Sequence, residues 1–192
     1  MGTNPDSTAE TVARAQRGDA AAFEEIVREF DGGLRAFGHR VLGPGWTEDV
    51  LQEAYLRAFR SLAQYRAERG AFRSWLYRIV YRCCLDEQRR RRRRPLVWAS
   101  SLEELPSLHT YESAVAARDG LWYALGTLSA EERACVILVD GLGFDYESAG
   151  AILDVPRGTV ASRLNHARPL LRRALRESLE ETEGEGHARI PR

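Results

Sequence analysis

The segment FRSWLYRIVYRCCLDEQRRRRRR, Phe72 to Arg94, sets aromatic rings among guanidinium groups. On a helix, with successive residues about 100° apart, Phe72, Leu76, Ile79, Val80 and Cys83 share a face that packs inward. Trp75, Arg78, Tyr81 and Arg82 are then expected to point outward. Rings beside arginines suit single-stranded nucleic acid, since every base offers a flat face for stacking and every phosphate a charge to pair. Just upstream, YRAERGAF supplies a loop in which Tyr65, Arg66 and Arg69, with Gly70, can cradle an extruded base. The competing reading of this segment is plain: Trp75 packs on a neighbouring helix and the arginines only solubilise. The run Arg89–Arg94 samples every side of a helix, so it defines no reading face but attracts phosphates regardless of sequence.

A second set lies in GTVASRLNHAR, Gly158 to Arg168. Val160, Leu164, Ala167 and Leu171 fall on one side of a helix, and Thr159, Ser162, Arg163 and His166 on the other. Upstream, Ser129 with Glu131 and Glu132 opens one helix and a short one follows Tyr146. DVPRGT then turns the chain, which is helix-turn-helix organisation. The polar face of the last helix is therefore expected to enter a major groove, where Arg is bidentate to guanine and Ser or Thr contact bases or phosphates. Arg157 and Arg168 flank that face and are expected to hold the backbone. A third set, Asp49, Glu53, Leu56, Arg57 and Arg60, with Gln52 at its border, shares one side of a helix whose other side carries Leu51, Ala54, Tyr55, Ala58 and Leu62. Thr47 is placed to cap this helix, with Glu48 and Asp49 against its dipole. An apolar Leu56 among charges suggests a partner surface.

No paired carboxylates, nucleophile–base set, phosphate-binding glycine loop or metal cluster appears, and His39, His109, His166 and His187 are scattered. Neither an enzymatic activity nor a cofactor is expected. Cys83, Cys84 and Cys135 match no disulfide framework or metal spacing and read as small buried hydrophobes. No apolar run reaches the ~20 residues of a membrane span, and the N-terminus lacks a leader pattern, so the reading is cytoplasmic.

The zero formal charge of these 192 residues is a sum of unlike parts. Residues 1–94 carry +5, residues 95–121 carry −3, residues 122–176 carry +1 and residues 177–192 carry −3. All 28 basic residues are arginine. Helical periodicity without alternating strands predicts an all-α chain of two small helical domains joined by a flexible linker. The expected bounds are a disordered 1–9, a first domain at 10–94, a linker at 95–118 built on PLVWASSLEELPSLHTYES, a helix-turn-helix domain at 119–178 and an acidic flexible tail at 179–192. Within the first domain, Ala13–Phe30 reads as one amphipathic helix with Phe23, Ile26 and Val27 facing the core.

Over residues 10–176 these motifs, in this order, resemble a bacterial RNA polymerase sigma factor of the extracytoplasmic-function class. DVLQEAYLRAFRSLAQYR resembles the family's region 2.2, FRSWLYRIVYRCCLDEQRRRRR its region 2.4, and LSAEERACVILVDGLGFDYESAGAILDVPRGTVASRLNHAR its region 4.2. The resemblance implies that Asp49, Gln52, Glu53, Leu56 and Arg57 dock on core RNA polymerase. It implies that Tyr65, Arg66, Arg69, Trp75, Arg78, Tyr81 and Arg82 hold the unwound minus-ten element. It further implies that Arg157, Thr159, Ser162, Arg163, His166 and Arg168 meet the minus-thirty-five element as duplex, and that an anti-sigma factor is a further partner. The alternative is a transcription regulator that dimerises on palindromic duplex sites without polymerase, although it has no use for the aromatic and arginine face.

The chain departs from the family pattern at several places. Ser148-Ala149-Gly150-Ala151 loses apolar volume, and Gly150 costs up to ~1 kcal/mol in a helix relative to Ala. Asp154 stands where Gly is usual, in a conformation Asp tolerates better than most. Ala161 replaces a common Lys and His166 a common Arg. Pro169 is expected to bend the last helix by clashing with the carbonyl of Asn165. Weak or unusual upstream-element binding follows as an expectation.

Overall fold

The computed structural model describes residues 5–43, 47–93 and 114–186. It is helical, and no strand occurs among the described residues. Eight helices follow in order: α1 (Pro5–Gln16), α2 (Ala20–Leu42), α3 (Glu48–Ser61), α4 (Phe72–Arg93), α5 (Ala114–Gly126), α6 (Ala130–Val136), α7 (Tyr146–Leu153) and α8 (Arg157–Gly186). Two short 3-10 turns, Leu62–Gln64 and Ala67–Arg69, join α3 to α4, and a π-turn, Ile137–Gly141, finishes α6.

In the first block α1 packs on α2, and α4 packs on both α2 and α3. Ile26, Leu34, Phe37, Leu51, Leu62, Leu76 and Val80 are fully buried there. In the second block α5 and α6 pack on α8 around Leu138, Ile152, Val160 and Leu164. The two blocks also touch each other: α7 lies along α4 and α6 against α2, so one apolar core runs through both.

Local chemistry sets the boundaries. The single helix expected over Ala13–Phe30 is two helices, broken at Arg17-Gly18-Asp19. Gly18 takes φ +94°, a conformation that favours glycine. Asp19 then caps α2, accepting from the Ala22 amide at 3.1 Å while Arg14 donates to it at 2.7 and 3.0 Å. Those bonds hold the Asp19 carboxyl below its ordinary value. Ile26 is in the core, whereas Phe23 and Val27 are half-buried. Residues 5–9, expected to be disordered, belong to α1. Thr47 occupies the cap position of α3 but makes no capping bond, and its Oγ1 is buried without a partner. Ser129 and Glu132 do form the reciprocal capping box of α6.

The helix α5 starts at Ala114, inside the expected linker, and residues 94–113 lie outside the described residues, as do 1–4, 44–46 and 187–192. The expected acidic tail is helical through Gly186, continuing α8 through a leucine and four glutamates, which are good helix formers. Pro169 sits inside α8 without ending it.

Candidate nucleic-acid interface

The loop between α3 and α4 is built around Tyr65. Gln16 donates from one amide nitrogen to the carbonyls of Leu62 and Tyr65, both at 3.0 Å, and pins the loop to α1. The Tyr65 hydroxyl donates to the Gly70 carbonyl at 3.1 Å and closes the loop on itself. Tyr65, Phe72 and Trp75 pack as a triangle with centroids 5.1–5.4 Å apart. Beside them lies an open cavity of about 560 Å³, lined by Gln16, Phe30, Tyr65, Arg66, Glu68 and Arg73 among others. Arg66 folds back on the Ala63 and Tyr65 carbonyls, and Arg69 is exposed. The cavity pairs apolar walls with a charged rim, a form that accepts a flat heterocycle.

Along α4 the expected inward residues Phe72, Leu76, Val80 and Cys83 are buried, and Ile79 is half-buried. The outward expectation fails for Tyr81, which is 4% exposed. Trp75 is half-buried in the aromatic triangle. Tyr77 and Cys84, expected on neither face, are also buried. The physical reason is the second block, which covers the side of α4 that the wheel leaves to solvent. Burial pushes the Tyr81 hydroxyl up to about 12, with Glu131 and Arg163 nearby. Burial likewise keeps the Cys83 and Cys84 thiols protonated, at about 11 and about 12.

Two arginines of this face meet an acid from the other block. Arg78 donates to Asp154 at 2.9 Å, and Arg82 approaches the second oxygen of the same carboxylate at 3.5 Å. One turn earlier, Arg73 donates to the Leu142 carbonyl at 3.0 Å and sits 4.1 Å over the Phe144 ring. Tyr77 meets the same ring edge to face at 5.2 Å. The residues that local periodicity missed, Arg73, Tyr77 and Phe144, all act across the two blocks.

On α3, Asp49, Gln52 and Leu56 are exposed, while Glu53 and Arg57 are half-buried. Arg57 bridges Glu53 and Asp86 of α4, both at 2.7 Å, which raises its already high pKa. These residues border a cleft of about 360 Å³ between α3 and α4. Phe59, one turn beyond, is 56% exposed and Leu56 is 50% exposed, so the apolar patch is wider than Leu56 alone.

In the second block, Asp145 caps α7 and Asp154 ends it in the left-handed conformation, φ 61° and ψ 42°. A side-chain carbon added at Gly150 would lie 2.7 Å from the Val155 carbonyl. That glycine, a departure from the family pattern, is therefore what lets the turn close. Val160, Leu164 and Ala167 of α8 are buried, and Leu171 packs beside them. Arg157, Ser162 and His166 are exposed and Thr159 is half-buried. Three of the expected reading residues are engaged internally. Arg168 is bidentate to Asp140 at 2.7 and 3.1 Å and donates to the Tyr146 hydroxyl. His166 Nδ1 lies 2.5 Å from Glu132. Arg163 turns toward Cys135 and Tyr81. Among the described residues no cluster of metal-ligating side chains is present, and no helix is long and apolar enough to cross a membrane.

Comparison with known proteins fits this geometry. The Sigma-70 region 2 family matches residues 26–94, and the Sigma-70 region 4 family matches residues 118–176. The chain is 34% identical over 185 residues to the ECF RNA polymerase sigma factor SigE of Mycolicibacterium smegmatis, covering 93% of this chain and 71% of that one. It is 33% identical to SigM of Mycobacterium tuberculosis, over 91% and 87% of the two chains. The sigma-E factor of Escherichia coli K12 is 29% identical, over 84% and 95%. A solved complex of the sigma factor RpoE with the anti-sigma factor NepR from Bartonella quintana superposes at TM-score 0.63 and 25% identity, over 80% of this chain and 96% of that one. CnrH, solved with the cytosolic domain of CnrY, shares the fold at TM-score 0.64 and 23% identity, over 87% and 96%.

Proposed function

The chain belongs to the extracytoplasmic-function class of RNA polymerase sigma factors, and we propose that its three side-chain sets divide promoter recognition between them. It acts with core RNA polymerase and directs promoter-specific initiation. The α3 face, with Asp49, Gln52, Glu53, Leu56 and Arg57, docks on the polymerase, and Leu56 supplies the apolar anchor. Burying Leu56 and its neighbour Phe59 against a partner gives up exposed apolar surface, which is the driving force such an anchor needs.

The loop and α4, with Tyr65, Arg66, Arg69, Trp75, Arg78, Tyr81 and Arg82, hold the melted minus-ten strand. The observation that carries this reading is the open cavity beside the Tyr65–Phe72–Trp75 triangle, lined by Arg66 and Arg73 together with Glu29 and Glu68. A base leaving the duplex exchanges stacking on its neighbours for stacking on these rings, and the arginines receive its phosphates. The start of α8, with Arg157, Thr159 and Ser162, reads the minus-thirty-five duplex. Arg163 and His166 join it where DNA outcompetes their internal partners, while Arg168, bidentate to Asp140, flanks it from within the fold. The chain does no chemistry of its own, works in the cytoplasm, and has an anti-sigma factor as a further partner. A regulator acting without polymerase leaves the α3 face and the cavity unexplained.

The test is run-off transcription on fragmented genomic DNA of the source organism with purified core polymerase. New discrete starts that need the chain, and that disappear when Trp75 and Arg78 are replaced by Ala, are the expected result. Starts unchanged by that double replacement would overturn the assignment of the minus-ten face.

A further inference from the structure

We infer that the arginine face of α4 is a docking surface for the helix-turn-helix corner of the same chain, and that Asp154 is the group that holds the corner there in place of DNA. The inference rests on the minus-ten reading of α4 above. One carboxylate receives two arginines, Arg78 at 2.9 Å and Arg82 at 3.5 Å, as a strand phosphate would. Phe144, from the loop before α7, fills the space between Arg73 and Tyr77, and Tyr81 is covered. A strand cannot lie on Arg78, Tyr81 and Arg82 while this corner is seated.

Two further observations bear on the contact. Asp154 is the one non-glycine residue among those described with positive φ, so the chain carries a carboxylate at a position whose backbone favours glycine. Arg78 Nε is buried with no hydrogen-bond partner in the closed form. A phosphate backbone offers more acceptors than Asp154 does, so DNA presented alongside polymerase displaces the corner rather than being locked out.

The full-length chain tests this with two readouts: its small-angle scattering profile, and its affinity for a short fluorescein-labelled oligothymidylate, both without polymerase. Asp154→Asn and Asp154→Gly remove the charge, and the glycine variant also relieves the backbone, so neither endangers the turn. Each is expected to enlarge the radius of gyration and to tighten oligonucleotide binding about fivefold, the size of two partly exposed ion pairs. Asp154→Arg, which sets a third positive charge beside Arg78 and Arg82, expands the chain further, and combining it with Arg78→Asp restores the compact profile. If all three single variants scatter like the unaltered chain, the docking surface is wrong. If they expand without any gain for the oligonucleotide, the docking stands and the reading of α4 as a DNA face fails instead.

Discussion

The arginines of α4 and those of α8 carry the same charge in opposite circumstances. Arg78 and Arg82 share the single carboxylate of Asp154, and Arg78 is half-buried with its Nε unmatched, so this face keeps donors to spare. Arg168 is closed on Asp140 and Tyr146, Arg163 points to Tyr81 and Cys135, and His166 is held by Glu132. On α4, Arg78 and Arg82 share one carboxylate and keep donors for phosphates; on α8, Arg168 has both oxygens of Asp140 to itself. Residue type and helical spacing look alike in the two helices, and only the neighbouring acids tell them apart.

The sharpest way to break that contrast is at the aromatic triangle. Replacing Trp75 and Arg78 together with Ala is expected to lower run-off transcription about a hundredfold, since stacking alone contributes about 1–3 kcal/mol per base. Next in size is Gly150→Ala. Its new methyl meets the Val155 carbonyl at 2.7 Å, and the urea midpoint of unfolding should fall by the equivalent of about 1–3 kcal/mol.

A pair of replacements then compares the arginines directly. Arg82→Ala should reduce the salt slope of single-strand binding by about 1, because a phosphate contact is lost. Arg168→Ala should leave the salt slope of duplex binding unchanged and destabilise the chain by about 1 kcal/mol, a modest figure because the Asp140 pair is partly exposed. A fall in slope for Arg168→Ala would place it on the DNA and erase the contrast.

The smallest effect is an acid one. Hydrogen bonds from Ser129 and His166 hold the Glu132 carboxyl below its ordinary value in the folded chain. Its contribution is therefore complete above the ordinary glutamate range and is lost as the pH falls through the lowered folded value. Glu132→Gln should flatten stability against pH in that window, measured by thermal melting.

Much of this was legible in the sequence because it is local. The capping box at Ser129, the helix-turn-helix and the left-handed Asp154 follow from residues within a few positions of one another, as do the core positions Leu51, Ala54 and Ala58 on α3 and Leu62 just after it. What escaped was long-range. A helical wheel assigns Tyr81 to the wet side of α4 because it cannot include α7, which lies some seventy residues later and covers that side. It also cannot distinguish an arginine awaiting a phosphate from one already facing Asp140. The break at Gly18 was readable, but the apolar spacing continues across it and hid the turn.

Arg133 illustrates another economy. Its guanidinium donates to the carbonyls of Leu125 at 2.8 Å, Leu128 at 3.1 Å and, on the first block, Val41 at 3.4 Å. All three acceptors are main-chain atoms, present whatever side chain stands at those positions. The clasp between the blocks is thus indifferent to mutational drift at 41, 125 and 128 so long as the backbone keeps its path, and it concentrates its whole vulnerability in a single codon.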